Sequence, residues 1–185
     1  MTDTLQELLD AQSALQDKMP TPHPTDLFVE VLNRPRHCPE AVRFLEWNVT
    51  ALTDELHELL GETGWKPWAT SKHVNLDAAR GEAIDALHFL LNIFLALGMS
   101  SREVMMAYRN KHAKNAKRQE DGYDGVSTKC PGCHRALDDD AVTCHVDPTG
   151  RLGDQVGVII CDVRGRAFPI ADHPRGGTHL EGSFS

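Results

Sequence analysis

Apolar residues recur at helical spacing through most of the first 120 positions of the chain. Intervals of three and four predict amphipathic helices over residues 4–18, 39–61 and 75–98. The second of these helices opens on a proline, and both the second and the third end at a glycine. A fourth helix begins at Ser100-x-x-Glu103, which is a capping-box pattern. The sequence therefore predicts four helices before residue 120.

The second predicted helix carries an apolar seam along one side. Its members are Val42, Leu45, Val49, Leu52, Leu56 and Leu59. This spacing predicts that the seam packs inside a helix bundle. The proline-rich connection before it, residues 21–39, gives no comparable pattern, and its structure stays open.

Two acidic pairs lie on neighbouring predicted helices. They are Glu55 with Glu58, and Glu82 with Asp85. Residues three apart on a helix differ in direction by about 60°, so each pair presents both carboxylates on one face. The second pair interrupts an apolar run, and His88 and Asn92 continue its line. A single polar stripe on an otherwise apolar helix is expected to face a cavity or another helix.

Carboxylates that converge inside a helix bundle are tolerable only when cations compensate their charge, because buried charges are very costly. Magnesium, or manganese in its place, fits such oxygen ligands where phosphates supply further ligands. Taken alone, Glu55 and Glu58 are typical of a solvated helix face. Together with a second pair on an apolar helix, they indicate a magnesium site that acts on an anionic substrate.

The fourth predicted helix is strongly basic. Between positions 102 and 118 it holds six basic residues against one acidic residue, in a chain whose formal net charge is -8. Lys111, Asn115 and Arg118 share one face, and a polyphosphate could lie between that face and the metal. The alternative is an ordinary solvated basic helix.

Composition narrows the class of protein. With 185 residues and 41% hydrophobic content, the chain is long enough for one domain and a small appendage. No apolar run approaches the roughly 18 residues of a membrane span, and the acidic start is unlike a signal peptide. We therefore expect a cytoplasmic protein without a membrane partner. The negative net charge makes a general nucleic-acid binder an unfavoured interpretation.

Five cysteines, most of them late in the chain, indicate a metal site rather than a disulfide framework. The four late ones are Cys130, Cys133, Cys144 and Cys161. The first two flank a tight Pro-Gly turn and the others lie on predicted strands, which fits a closed structural zinc site that a small module needs in order to fold. His145 or His134 could replace one thiolate, and Cys38 is expected to be a lone thiol.

The ordered motifs resemble a known family. They are Glu55-x-x-Glu58, Trp65-Lys66-x-Trp68, Glu82-x-x-Asp85-x-x-His88-Phe89 and Tyr108-x-x-Lys111-x-x-x-Asn115-x-x-Arg118-Gln119-x-x-Gly122-Tyr123. The string covers about residues 5–125. It resembles the dimeric all-α dUTPases of the MazG-like nucleotide pyrophosphohydrolase superfamily, in their compact phage or bacterial form.

The resemblance implies a homodimer, or a larger homo-oligomer, that hydrolyses dUTP to dUMP and pyrophosphate. By the same resemblance, the magnesium ligands would be Glu55, Glu58, Glu82 and Asp85. A glutamate of the first pair would activate the attacking water. The phosphates would be held by Lys111, Asn115, Arg118 and Tyr123, and the first helix and the Trp65 region would enclose the base and sugar.

Some features depart from the family pattern. At the base-reading positions of the first helix, the family resembles Gln-x-x-x-Asn, whereas this chain has Gln12 and Gln16, which leaves the preferred base open. His112 replaces an asparagine that often follows the motif lysine, and the long insertion of larger members is missing. Trp65 and Trp68 have an alternative interpretation as core anchors of a loop.

We therefore predict an all-α pyrophosphohydrolase domain over residues 1–125, a β zinc-ribbon module over 126–174 and a flexible tail over 175–185. The predicted activity is magnesium-dependent hydrolysis of a deoxynucleoside triphosphate, first of all dUTP. Two alternatives stay open. One is a pyrophosphatase for another nucleotide, such as dCTP or a modified nucleotide, and the other is a non-enzymatic zinc-ribbon adaptor.

Overall fold

A computed structural model describes residues 3–120, 122, 129–137 and 144–170. Five helices come first: α1 (Thr4–Gln16), α2 (Pro24–Asn33), α3 (Pro39–Gly61), α4 (Leu76–Ala96) and α5 (Ser101–Glu120). Three strands follow: β1 (Cys144–Leu152), β2 (Gln155–Cys161) and β3 (Arg166–Pro169). The prediction of a helical bundle with a small β module is confirmed.

The chain divides into two compact units, residues 1–110 and 111–185, and α5 contributes to both. The predicted domain limits at residues 125 and 174, and the predicted tail, lie outside the described residues and stay predictions. Within the described part of the chain, no single helix is long and apolar enough to cross a membrane. The pair α4 and α5 passes that test only when counted together, and it is bent by 107°.

In the first unit, α3 and α4 form the main helix pair, and α1 and α2 pack on α4. The apolar core consists of Leu27, Ala41, Phe44 and Ala96, with Val31, Cys38 and Leu45 packed against it. Two of these core positions are alanines, one on α3 and one on α4.

The helix α2 lies in the proline-rich connection that the sequence left open. Pro24 occupies its first turn, and the preceding His23 side chain accepts a hydrogen bond from the backbone N–H of Thr25. The aromatic ring of Phe28 on this helix lies against Gly98, where a Cβ atom would clash with the ring. Gly98 has φ +65°, so glycine is needed there both for the backbone turn and for this contact.

The helices α4 and α5 begin where the sequence predicts, but only one of their two predicted side-chain caps forms. The capping box is confirmed, because Ser100 N donates to Glu103 Oε2 at 2.9 Å and Glu103 N donates to Ser100 Oγ at 3.3 Å. Asn75 precedes α4 as predicted, but its side chain does not cap the helix. It donates instead to Glu62 Oε2 at 2.7 Å, which links the two ends of the α3–α4 loop.

The predicted apolar seam of α3 is only partly buried. The face that the bundle buries carries Ala41, Phe44 and Asn48, whereas the seam residues Val42, Val49 and Leu56 are 46–51% exposed. The described helices of one chain therefore do not bury these three seam residues, and the prediction that they pack inside a bundle stays a prediction. The physical reason is that α3 is apolar on two sides, and the helices in the described part of the chain cover only one of them.

The second unit contains an antiparallel sheet of order β1-β2-β3. Its register places Cys144 directly opposite Cys161. The buried cluster beneath it joins Leu137, Ile159 and Ile170 to three cysteines, Cys130, Cys144 and Cys161. Thiols therefore make up much of the interior of this unit.

Candidate active site and metal centres

Three carboxylates from two helices meet in the first unit. Glu55 lies on α3, and Glu82 and Asp85 lie one turn apart on α4. One carboxylate oxygen from each of the three residues lies within 4.8 Å of the corresponding oxygens of the other two. Glu58, the fourth predicted ligand, is exposed one turn further along α3 and lies outside this set of three.

The position of Glu55 in this cluster changes the pKa of its carboxyl group. Its pKa is raised above the ordinary value, first by burial and then by the negative charges of Glu58, Asp85 and Glu82. The Glu55 side chain also shares a hydrogen bond with Glu82, which favours its protonated form. A divalent cation would remove this repulsion, and three oxygen ligands at this spacing fit a hard ion such as magnesium.

A chain of buried amides follows the carboxylates along α4. Asn92 Nδ2 donates to Asn48 Oδ1 at 2.9 Å, and Gln12 Nε2 donates to Asn92 Oδ1 at 2.7 Å. The predicted polar stripe on α4 thus meets polar partners on α1 and α3. Sequence reasoning missed Asn48, although a polar residue one turn after the buried Phe44 was an available signal.

The two glutamines of α1 differ in their surroundings. Gln12 is 3% exposed, and its Oε1 lies 2.6 Å from His88 Nδ1. Gln16 is 7% exposed, and the described residues provide no hydrogen-bond partner for its side-chain amide. A buried amide without a protein partner is unfavourable unless a ligand or water satisfies it.

Both tryptophans of the α3–α4 loop are exposed. Trp68 is 77% exposed and Trp65 is 53% exposed, so the interpretation of these residues as core anchors is wrong. The loop is closed at its base by an antiparallel bridge between Thr63 and Val74 and by the hydrogen bond from Gly64 N to His73 O, 2.9 Å. A fixed base with exposed indole rings suits contact with a planar ligand.

The predicted phosphate-binding face lies on α5. Lys111, Asn115 and Arg118 all belong to this helix, and Arg118 Nη1 donates to Asn115 Oδ1 at 3.4 Å. Tyr123, the last predicted member, lies outside the described residues.

The second unit gathers all four late cysteines. The sulfur atoms of Cys130, Cys133, Cys144 and Cys161 lie within 4.8 Å of one another, and Cys133 Sγ is 3.4 Å from Cys144 Sγ. Neither predicted substitute, His134 or His145, belongs to this set. All four thiols are free of disulfides, as is Cys38.

The backbone around the first two cysteines is arranged as a knuckle. Lys129 and Ala136 form an antiparallel bridge, and His134 N donates to Cys130 O at 2.9 Å. A Cβ atom at Gly132 would come within 2.7 Å of the Phe168 ring and 3.1 Å of Cys161 Sγ. Only glycine therefore allows the turn to lie this close to the other sulfurs.

The four thiols differ in acidity. A backbone N–H at Arg135 lowers the pKa of Cys133 to about 7, whereas burial raises the pKa of Cys130 and of Cys144. The backbone N–H groups of Gly132 and Cys133 also point at the Cys130 sulfur. Four sulfur donors with N–H groups aimed at them fit a tetrahedral zinc ion.

A helical unit that brings carboxylates together from two adjacent helices has the architecture of the MazG-like nucleoside triphosphate pyrophosphohydrolases. The family model described as dUTPase matches residues 4–101, more than half of the chain. The chain therefore belongs to the all-α dUTPase family, as its motifs predict, and it is a nucleoside triphosphate pyrophosphatase. Membership implies the use of a divalent metal ion and makes the adaptor interpretation wrong.

Relatives of the chain include bacteriophage proteins. A dCTP pyrophosphatase of Enterobacteria phage LZ5 is 31% identical over 148 residues, which cover 65% of this chain and 83% of the relative. The dCTP pyrophosphatase of Enterobacteria phage T4 is 27% identical over 150 residues, with the same coverage. A T4 DNA replication protein is 27% identical over 146 residues, 62% of this chain and 35% of that protein. No solved structure matches the chain significantly.

Proposed function

We propose that the protein hydrolyses a pyrimidine deoxynucleoside triphosphate, with dUTP as the first candidate, to the monophosphate and pyrophosphate in a magnesium-dependent reaction. The observation that carries this proposal is the meeting of Glu55, Glu82 and Asp85 within 4.8 Å. When bound there, the ion supplies charge stabilisation at the phosphate oxygens and acidifies the attacking water. Manganese has the same preference for oxygen ligands and is expected to substitute.

The carboxylates hold the metal and accept the proton of the water. Burial and the neighbouring carboxylates raise the pKa of Glu55 above the ordinary value, so it binds a proton more readily than an ordinary glutamate. Glu58, one turn away and exposed, is the other candidate base, and its negative charge contributes to the pKa of Glu55. We assign the proton transfer to this pair and the metal contacts to all four predicted carboxylates.

The remaining contacts follow from residue chemistry. Lys111, Asn115, Arg118 and Tyr123 are proposed to hold the phosphates, since guanidinium and ammonium groups stabilise charge that develops during phosphoryl transfer. Gln16 is proposed to read the base, because its buried amide has no partner among the described residues. Gln12 lies one turn before it, and Trp65 supplies an exposed ring near the end of α3.

A second candidate substrate is dCTP. The family model is described as dUTPase, whereas both phage relatives with long coverage are dCTP pyrophosphatases. On its base-pairing edge, uracil offers an N–H at the ring nitrogen, whereas cytosine offers a lone pair at the same position. An amide such as that of Gln16 can satisfy either base by rotation.

The test is pyrophosphate release from dUTP, dCTP, dTTP, dATP and dGTP, with and without magnesium. The proposal requires turnover of dUTP or dCTP well above the purine nucleotides, and loss of turnover in the presence of a chelator. Equal turnover of all five nucleotides would refute the pyrimidine assignment, and turnover that persists without any divalent ion would refute the metal assignment.

We propose further that the active form is a homodimer or a larger homo-oligomer. The half-exposed seam of α3 supports this, as do the exposed Leu60, Ile84 and Leu97 on or beside the main helix pair. Analytical ultracentrifugation tests it, with a monomer at micromolar concentration as the contrary result.

The four-cysteine site is proposed to hold one structural zinc ion. Its support is the convergence of four sulfur atoms from a knuckle and two paired strands. Zinc prefers such soft donors, whereas the carboxylate cluster offers only oxygen, so the two metals are expected to sort between the sites.

A further inference from the structure

The four thiols of the second unit differ in how far solvent reaches them. Cys130, Cys144 and Cys161 are buried, with 0–3% exposure, whereas Cys133 is only half-buried. Oxidation of a cysteine depends on access to its sulfur as well as on its thiolate character. A small oxidant that diffuses to the cluster therefore meets the Cys133 sulfur first.

A second sulfur lies next to this more accessible thiol. Cys144 Sγ is 3.4 Å from Cys133 Sγ, and the two residues are 11 positions apart in sequence. The sulfur atoms of a disulfide are about 2.0 Å apart, so these two atoms need to approach by only about 1.4 Å. Rotation of the two side chains can supply a displacement of this size. Cys144 is thus placed to react with an oxidised Cys133.

The other cysteine of the knuckle is held more firmly. Cys130 N donates to Arg135 O at 2.8 Å, and Cys130 O accepts from His134 N at 2.9 Å. A disulfide between Cys130 and Cys133 would join two residues of the same turn and would leave the knuckle untied to the sheet. A disulfide between Cys133 and Cys144 instead replaces the link that a metal ion provides between the knuckle and β1.

We propose that Cys133 and Cys144 are a redox-sensitive pair, which hydrogen peroxide converts from zinc-bound thiolates into a disulfide. This inference rests on the zinc site of the proposed function. The Cys133 thiolate attacks one peroxide oxygen, the O–O bond breaks, and a sulfenic acid and a hydroxide ion result. The Cys144 thiolate then attacks the Cys133 sulfur, the disulfide forms and a second hydroxide leaves. The two thiolates lose two electrons and the peroxide gains them.

The disulfide removes two of the four zinc ligands. Only Cys130 and Cys161 remain, and two thiolates do not complete the four-coordinate site that structural zinc requires, so the ion is released. The new bond keeps the knuckle attached to β1. A dithiol can reverse the change by thiol–disulfide exchange. The module therefore holds zinc under reducing conditions and releases it when peroxide is present.

The experiment treats the zinc-loaded, full-length protein with hydrogen peroxide and follows free zinc with a colorimetric chelator. We expect about one zinc ion to be released for each disulfide formed. Peptide mapping by mass spectrometry should find Cys133 linked to Cys144, and dithiothreitol with added zinc should restore the full zinc content. Any other linkage as the main product would overturn the assignment, as would a Cys133 sulfinic acid without a disulfide.

Two histidine variants separate this pair from the rest of the site. Cys133→His and Cys130→His each keep a ligand for zinc, since three cysteines and one histidine also form closed zinc sites. Cys133→His should keep its zinc at peroxide concentrations that empty the unchanged protein. Cys130→His is the matched control: it retains Cys133 and Cys144, so it should release zinc and form the same disulfide. Equal zinc release from the two variants would contradict the proposal.

The outcomes separate this inference from the proposed function. If the purified protein contains no zinc and takes up none, the proposed zinc site fails, whereas peptide mapping after peroxide treatment still tests the pairing of Cys133 with Cys144. If zinc is bound and stays bound at peroxide concentrations that oxidise Cys38, the redox pair is refuted while the zinc site stands. Should either histidine variant fail to fold, the linkage mapped in the unchanged protein decides the question.

Discussion

Replacement of Cys161 by serine should release zinc from the β module and unfold that module, while the helical bundle stays folded. Cys161 is fully buried and lies directly opposite Cys144 in the β1–β2 register. Serine has nearly the same size as cysteine, so packing changes little. What the variant removes is a soft thiolate ligand.

The expected loss can be estimated from the four-sulfur geometry. Structural zinc contributes an apparent free energy of about 10–16 kcal/mol in small modules, which is about 2.5–4 kcal/mol per ligand if four thiolates share it. At 1.4 kcal/mol for each factor of ten, the variant should bind zinc about 10²- to 10³-fold more weakly. Three cysteines form part of the buried cluster, so few apolar contacts remain to hold the sheet.

Two measurements check this result. Elemental analysis after dialysis should find about one zinc per chain in the unchanged protein and much less in Cys161→Ser. Hydrogen exchange should show loss of protection in β2 with protection retained in α4. Cys38→Ser is the matched control, because Cys38 packs against the helical core and should leave zinc content unchanged. A Cys161→Ser chain with a full zinc complement and a protected sheet would refute the reasoning.

Three further predictions concern the first unit. Asp85→Ala or Glu58→Ala should remove nearly all pyrophosphate release. Asp54 is an exposed carboxylate outside the cluster, so Asp54→Ala should keep the activity. Near-normal turnover of Asp85→Ala or Glu58→Ala would exclude that residue from the site. Gln16→Asn should change the ratio of activities toward dUTP, dCTP and dTTP more than it changes unfolding stability, and an equal loss for all three would make Gln16 structural. The pKa of Glu55 lies above its ordinary 4.5 in the folded chain, so the folded state keeps this proton longer than the unfolded state. The stability of the metal-free protein should therefore fall as the pH rises through 4.5 and the raised pKa, and Glu55→Gln should reduce that fall in denaturant titrations.

The local features of the site were predictable because helix geometry fixes them. Residues three apart share a face, so the pairing of Glu82 with Asp85 follows from spacing alone. The capping box at Ser100 and the zinc knuckle are equally local. The contact of Glu55 with these residues also followed once α3 and α4 were expected to be neighbours.

The sequence did not predict which faces of the helices pack against each other, nor the features that depend on this packing. The sequence of α3 is apolar on two sides, and only the packing of α4 decides that Phe44 and Asn48 face inward while Val49 does not. The amide chain is of the same kind, because Asn48 and Asn92 are 44 residues apart in sequence. The helix α2 was missed since its short apolar stretch is framed by prolines that suggest an irregular connection.

The amide chain also determines how α1 can dock. This helix has 13 residues, a length that is marginal for an isolated helix in water, and its buried positions are Leu9, Gln12 and Gln16. Gln12 donates to Asn92 across this interface, so any sliding of α1 along α4 would leave both buried amides without partners. We therefore expect α1 to have a single docked position and to open as a whole. A nucleotide that binds Gln16 would favour the docked state, so substrate binding and the local unfolding of α1 are thermodynamically linked.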